Sequence, residues 1–396
     1  MNETEKRIPA LDGVRGLAIL GVMACHFATS GWPNTVTGRV AFRAMDAGWA
    51  GVDLFFVLSG FLITGILLDA KAAPHYFRNF YMRRVLRIFP LYYGFLILIF
   101  WGLPLVLPFT PAMGAITTHQ GWLWCYGTNL FMGAKGTWYF EKDWLKLGHF
   151  WSLAIEEQFY MGWPLVVFLF SRRTLIGVCL GCLAFSLAAR ILLVGLDAPK
   201  ICAEIMTPCR FDALAAGALG VLLLRGQQEH VFRRARAVAC LLALGIVVIG
   251  LNRRTWDATD PVVQTIGYSV MDLFFASLLI LCVAPSQPNW LGRFFSQPSL
   301  KWFGAYSYAI YVFHVPLMPL FDRLFPVKAL ELRLGSAYLG VVAHAILAAA
   351  ISSLLAFGSW HLYEKHFLKL KKYFAPKRRE ATPAALPFVR APQAIP

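Results

Sequence analysis

The chain has 396 residues, of which 58% are hydrophobic and only 15% charged, with a formal net charge of +16. Soluble domains carry about 25% charged residues, and the mean hydropathy here is +0.58, which excludes a soluble globular fold. Apolar runs of membrane-spanning length recur, while the alternating ten-residue segments of a membrane β-barrel do not occur in the sequence. The expected fold is an all-α polytopic integral membrane protein, and its positive charge is read as loop anchoring to membrane lipids, with no nucleic-acid partner.

Hydropathy places about ten transmembrane helices, near 11–29, 50–69, 88–108, 150–170, 174–195, 209–225, 236–252, 266–284, 303–322 and 338–361. The stretch 121–133 is apolar but short, and it reads as a re-entrant or interfacial element. With the N-terminus in the cytoplasm, the inner segments hold 23 Lys and Arg and the outer segments 12. That bias places both the N- and C-termini in the cytoplasm of a plasma-membrane protein. Residues 1–370 form the membrane domain. Residues 371–396, rich in Pro, Ala and basic side chains, read as a disordered tail able to rest on anionic lipid. No internal repeat of the kind found in many transporters is evident.

The first span, LDGVRGLAILGVMACH, carries Asp12, Arg15 and His26. Arg15 and His26 are eleven residues apart, about three helical turns, so they face the same way and lie about 16 Å apart along the axis. Ionisable groups at such depth are candidates for function; the alternative is that Arg15 reaches to the interface and His26 is a structural histidine. The second span places Asp53 near its outer end, either as a site residue or as a helix-terminal dipole partner. An inner loop, YFRNFYMRRVLRIFPLYY, then presents Arg83, Arg84 and Arg87 among aromatics. Arg84 and Arg87 are one turn apart, and guanidinium groups so spaced can clamp phosphates. Pro90 is expected in the first turn of the span that follows.

The fourth span opens HFWSLAIEEQFY. Its adjacent Glu156 and Glu157 point about 100° apart, while Ser152 shares a face with Glu156 and His149 lies a turn earlier. A carboxyl here suits acid–base work. Arg210 and Asp212 open the sixth span, either as site groups or as a structural ion pair with another helix. His314 lies past the middle of the ninth span ahead of Pro316, and Glu364 closes the tenth, where it can pair with the arginines.

These motifs, in this order, resemble the membrane-bound acyltransferase-3 family over about residues 8–367. The matching segments are LDGVRGLAILGVMACHF, GVDLFFVLSGFLI, FYMRRVLRIFPLYY, HFWSLAIEEQFY, RFDALAAGALG, SYAIYVFHVPL and the closing WHLYE. The resemblance is to stand-alone members that modify an acceptor directly, without a fused SGNH-type domain. It implies an O-acyltransferase that takes an acyl group, most often acetyl, from acyl-CoA to a hydroxyl of a carbohydrate or glycolipid in the bacterial inner membrane. Acyl-CoA is then a co-substrate, with no permanently bound cofactor and no metal. Arg15, Arg83, Arg84 and Arg87 are the expected acyl-CoA ligands. His26 is the expected base or transient acyl carrier, with Glu156 or Glu157 and Asp53 orienting it. Asp12, His149, Ser152, Arg210, Asp212, His314 and Glu364 are candidate acceptor or support residues. The competing reading is a proton-coupled transporter with His26 as a relay.

Overall fold

The architecture comes from a computed structural model that describes residues 8–28, 31–105, 111–142, 145–226, 228–284 and 289–374. Ten long helices carry the fold. They are α1 (Pro9–Phe27), α2 (Ala50–Ala70), α3 (Tyr76–Ile97), α4 (Trp151–Leu169), α5 (Arg172–Gly195), α6 (Thr207–Leu224), α7 (Gln228–Arg253), α8 (Tyr268–Cys282), α9 (Pro298–His314) and α10 (Ala337–Ser359). Among the described residues the β-structure is one two-residue antiparallel hairpin, Glu141–Lys142 with Leu145–Lys146.

Among the described residues, eight helical segments are long and apolar enough to cross a membrane. The two remaining expected spans correspond to α4 and α9. α9 is only 17 residues long, and α4 carries two adjacent glutamates that lower its hydropathy. The stretch 121–133 forms short helices, Gly121–Trp124 and Thr128–Lys135, rather than a span.

Two close crossings set the core. α1 and α9 run parallel, with Gly16 against Leu300 and Gly304 against Asp12; a Cβ at either glycine would collide with the facing carbonyl. Small residues allow such backbone approach where lipid supplies no hydrophobic drive between helices. α2 and α6 run parallel and meet in the same manner at Gly60 and Gly217. α4 lies alongside α2 in the same direction, tied by Ser59 to Tyr160 and by Trp163 Nε1 donating to Thr64 Oγ1 at 2.8 Å.

The arginine-rich stretch is not a loop. It is the first half of α3, which runs unbroken past Pro90. Pro90 therefore sits inside a helix and not in its first turn, and its ring removes one donor from the ladder. Tyr308 donates to the Ile88 carbonyl at 2.8 Å and Tyr363 to the Pro90 carbonyl at 3.2 Å, bracing this stretch from α9 and from the end of the chain. The last described turn, Leu370–Phe374, returns to α3, where Arg78 lies over the Phe374 ring; the rest of the basic tail falls outside the described residues.

Candidate active site

One cavity of about 110 Å³, partly open to the surroundings, lies among α1, α2, α3, α4 and α9. Arg15, Arg84 and Arg87 bring three guanidinium groups to it. Glu156 and Glu157 bring two carboxyls, and Ser59, Ser152, Tyr160 and Tyr311 bring hydroxyls between apolar walls from α2. Arg84 and Arg87 meet there because one turn of α3 separates them. Arg83, about 100° round the helix, is not in the lining. Arg84 stacks over Tyr160 and Phe80, with 5.5 and 5.7 Å to the ring centroids. Arg15 donates to Asp12 at 3.2 Å, so Asp12 steadies a cavity residue from one turn away. Glu364 accepts from Ser359 at 3.0 Å and shares a small side cavity with Arg87, which brings the turn after α10 to the arginines.

The glutamates do not hold His26. Glu156 bonds to Ser59 and Tyr160, whose hydroxyls also meet each other, and both glutamates look into the cavity. Asp53 does not hold His26 either. It is fully buried on α2 and ion-paired to Arg210 of α6. Asp212 is likewise paired with Arg190 of α5 at 2.6 Å and accepts from Ser269 at 3.1 Å. Arg210 lies 4.2 Å from the centroid of Tyr268. These charges, with the buried Asp272, form a network between α2, α5, α6 and α8 that is separate from the cavity lining. Ion pairing across helices is the arrangement expected for charges deep in a membrane protein.

The partner of His26 is His314. The Nδ1 of His314 lies 2.9 Å from the Tyr311 carbonyl and 3.2 Å from that of Ile310. Carbonyls only accept, so this nitrogen carries the proton and Nε2 of His314 is an acceptor. That Nε2 sits 3.2 Å from Nδ1 of His26, which is also 2.9 Å from the Val22 carbonyl. Facing two acceptors, Nδ1 of His26 is the protonated nitrogen, and Nε2 keeps the basic lone pair. His149, in the turn before α4, completes a three-histidine cluster with its ring 5.6 Å from that of His314.

Ser152 and Tyr311 stand between the two regions. Their hydroxyls are 2.5 Å apart, and Tyr311 donates to the His149 carbonyl at 2.9 Å. The sequence quotes Tyr311, Ser59 and Tyr160 inside its motifs, yet nothing in helical spacing along one chain says which hydroxyl faces which helix. Gln158 was also unassigned. It bridges Tyr126, Asn129 and Thr207, fastening α4 to the short helix before it and to α6. Arg190 and Asp272 carried a usable signal, being ionisable residues within apolar runs.

The fold and this cavity define a helical, multi-pass membrane protein whose polar chemistry is sunk between its helices. The chain belongs to the acyltransferase-3 family: the family's acyltransferase domain matches residues 8–361. The match is to an acyltransferase domain, which favours the acyltransferase reading of the sequence over the transporter one. It is 28% identical over 387 residues to the putative peptidoglycan O-acetyltransferase YrhL of Bacillus subtilis, covering 90% of this chain and 54% of that protein. It is 29% identical over 344 residues to the peptidoglycan O-acetyltransferase OatA of Listeria monocytogenes, covering 80% and 50%. With O-acetyltransferase OatA of Staphylococcus aureus the figures are 27% over 340 residues, 78% and 50%. The chain thus spans about half the length of the curated relatives it matches. No solved structure matches it.

Proposed function

We propose that this acyltransferase carries an acetyl group from acetyl-CoA to a hydroxyl of a carbohydrate or glycolipid at a bacterial plasma membrane. The observation that carries the reading is the single cavity that joins Arg15, Arg84 and Arg87 to the Ser152–Tyr311 pair, against which the histidines pack. Three guanidinium groups suit the phosphates of a CoA thioester, and Tyr160 and Phe80 hold Arg84 in place by stacking. Arg15 and His26 lie on one unbroken helix, so the two ends of the site are separated by about 16 Å, within reach of an extended pantetheine arm. The acceptor class follows the relatives, which are named for O-acetylation of peptidoglycan.

The lysine and arginine bias puts both chain ends inside, hence the arginine end of the cavity on the cytoplasmic side and His26 towards the outer face. His26 Nε2 takes the proton of the acceptor hydroxyl. The oxygen attacks the thioester carbonyl, the C–S bond breaks, and the imidazolium of His26 returns the proton to the departing thiolate, so the CoA thiol leaves and His26 is neutral again. His314 accepts from Nδ1 of His26, holding the correct tautomer and sharing the positive charge as it forms. Purified protein given radiolabelled acetyl-CoA and a glycan acceptor tests this: label in an alkali-labile ester on the acceptor is expected. Label retained on CoA with every hydroxyl acceptor tried, in folded protein, would refute it.

A further inference from the structure

We infer, building on the reading that the cavity receives the acyl-CoA arm, that Tyr311 is a positioning residue: a movable partition, latched by Ser152, between the donor cavity and the histidine cluster. The cavity reaches Ser152 and Tyr311, but none of His26, His149 and His314 lines it. The Tyr311 ring stands where they would be reached, 5.3 Å from the ring of His149 and 5.4 Å from that of His314, with Phe55 of the cavity wall at 6.5 Å on its flank. Its hydroxyl is tied down. It donates to the His149 carbonyl, so its oxygen is free to accept from Ser152.

Behind the partition His149 and His314 are buried, while His26 is half-buried. Both ring nitrogens of His149 are buried and make no well-formed hydrogen bond, with only the Tyr311 and Val312 backbone beside them. Buried polar atoms are nearly always paired, and an exception calls for a cause. A compartment that opens to take in a carbonyl or hydroxyl supplies one. Opening is also required by the chemistry, because reacting atoms must approach to about 3–3.5 Å and the phenol ring lies between the cavity and the histidines. Shut, the ring keeps water that enters the arginine end away from the reaction centre. Tyr311 touches both sides: its side chain closes the cavity, and its backbone carbonyl fixes the tautomer of His314.

The test reads histidine reactivity, which does not depend on acyl-CoA. Full-length protein in detergent is treated with diethyl pyrocarbonate, and modification is followed at each histidine by mass spectrometry. In the wild type, His149 and His314 should react slowly. Tyr311→Ala should speed both about tenfold, equivalent to easing the opening step by about 1.4 kcal/mol. Tyr311→Phe and Ser152→Ala keep the packing but loosen the latch, and should give smaller increases, which serve if Tyr311→Ala does not fold. Phe313→Ala, on the same helix but packed on Phe95, should leave the rates unchanged. Unchanged rates in Tyr311→Phe and Ser152→Ala, or an equal rise in Phe313→Ala, overturn the partition. Acetyl-CoA should protect the exposed histidines in the Tyr311 variants. Faster labelling without that protection keeps the partition and refutes acyl-CoA as the donor.

Discussion

Nε2 of His314 faces Nδ1 of His26 across 3.2 Å, and the backbone of α9 decides which of them carries the proton. Because His314 is pinned by two carbonyls, it can only accept from His26. His26→Ala should therefore lower acetyl transfer by about 10²–10⁴-fold while the protein stays folded and inserted. His314→Ala should cost less, about tenfold to a hundredfold. His314→Gln, whose amide oxygen can accept near the same point, should recover part of that loss. Equal rates for the Ala and Gln variants would reduce His314 to packing.

At the other end of the cavity, the proposed function has the arginines act on the donor alone. Each charge-assisted contact to phosphate contributes about 1.5–3 kcal/mol, so Arg84→Ala and Arg87→Ala should each raise the acetyl-CoA Kd by about 10–100-fold. The KM for the acceptor should not change. Lysine at position 84 should restore little, since it cannot lie flat over Tyr160 as the guanidinium does. Isothermal titration and initial rates with the two substrates varied in turn separate these effects.

Asp53 offers a sharp contrast between a catalytic and a structural carboxylate. Its partner Arg210 is 2% exposed, so Asp53→Asn strands a buried cation and should destabilise the protein by about 3–5 kcal/mol. Replacing both, as Asp53→Leu with Arg210→Met, should restore most of the thermal stability and, with it, activity. A double variant that is stable yet inactive would return Asp53 to the reaction.

The hairpin that leads into His149 should respond to pH. Glu141 accepts from the Gly148 N–H at 2.9 Å, next to that histidine. Burial pushes its carboxyl up to about 7, against the opposing pull of Lys146 and of the Gly148 N–H. Between its ordinary value of 4.5 and about 7 the folded state holds this proton more tightly than the unfolded chain does. Stability should therefore fall as pH rises through that window and level off above it. Glu141→Gln keeps the acceptor and removes this titration, so its Tm should decline less across the window than that of the wild type.

Much of this protein was written in one dimension. Composition and apolar run length determined a helical membrane protein, because a bilayer core demands long stretches of apolar residues with their backbone bonds closed locally. Helical spacing placed Arg84 beside Arg87 and aligned Arg15 with His26, since a helix turns by a constant angle per residue. Those pairs persist in the fold because each lies on one unbroken helix. What lay between helices could not be read this way. The sequence paired His26 with Glu156, Glu157 or Asp53, but only packing decides which helix faces which. α1 lies against α9 through Gly16 and Gly304, so His26 meets His314. α2 lies against α6 through Gly60 and Gly217, and Asp53 meets Arg210. The glutamates are left facing a cavity that no single helix contains, and Tyr311 becomes its end wall only because α4 delivers Ser152 to its hydroxyl.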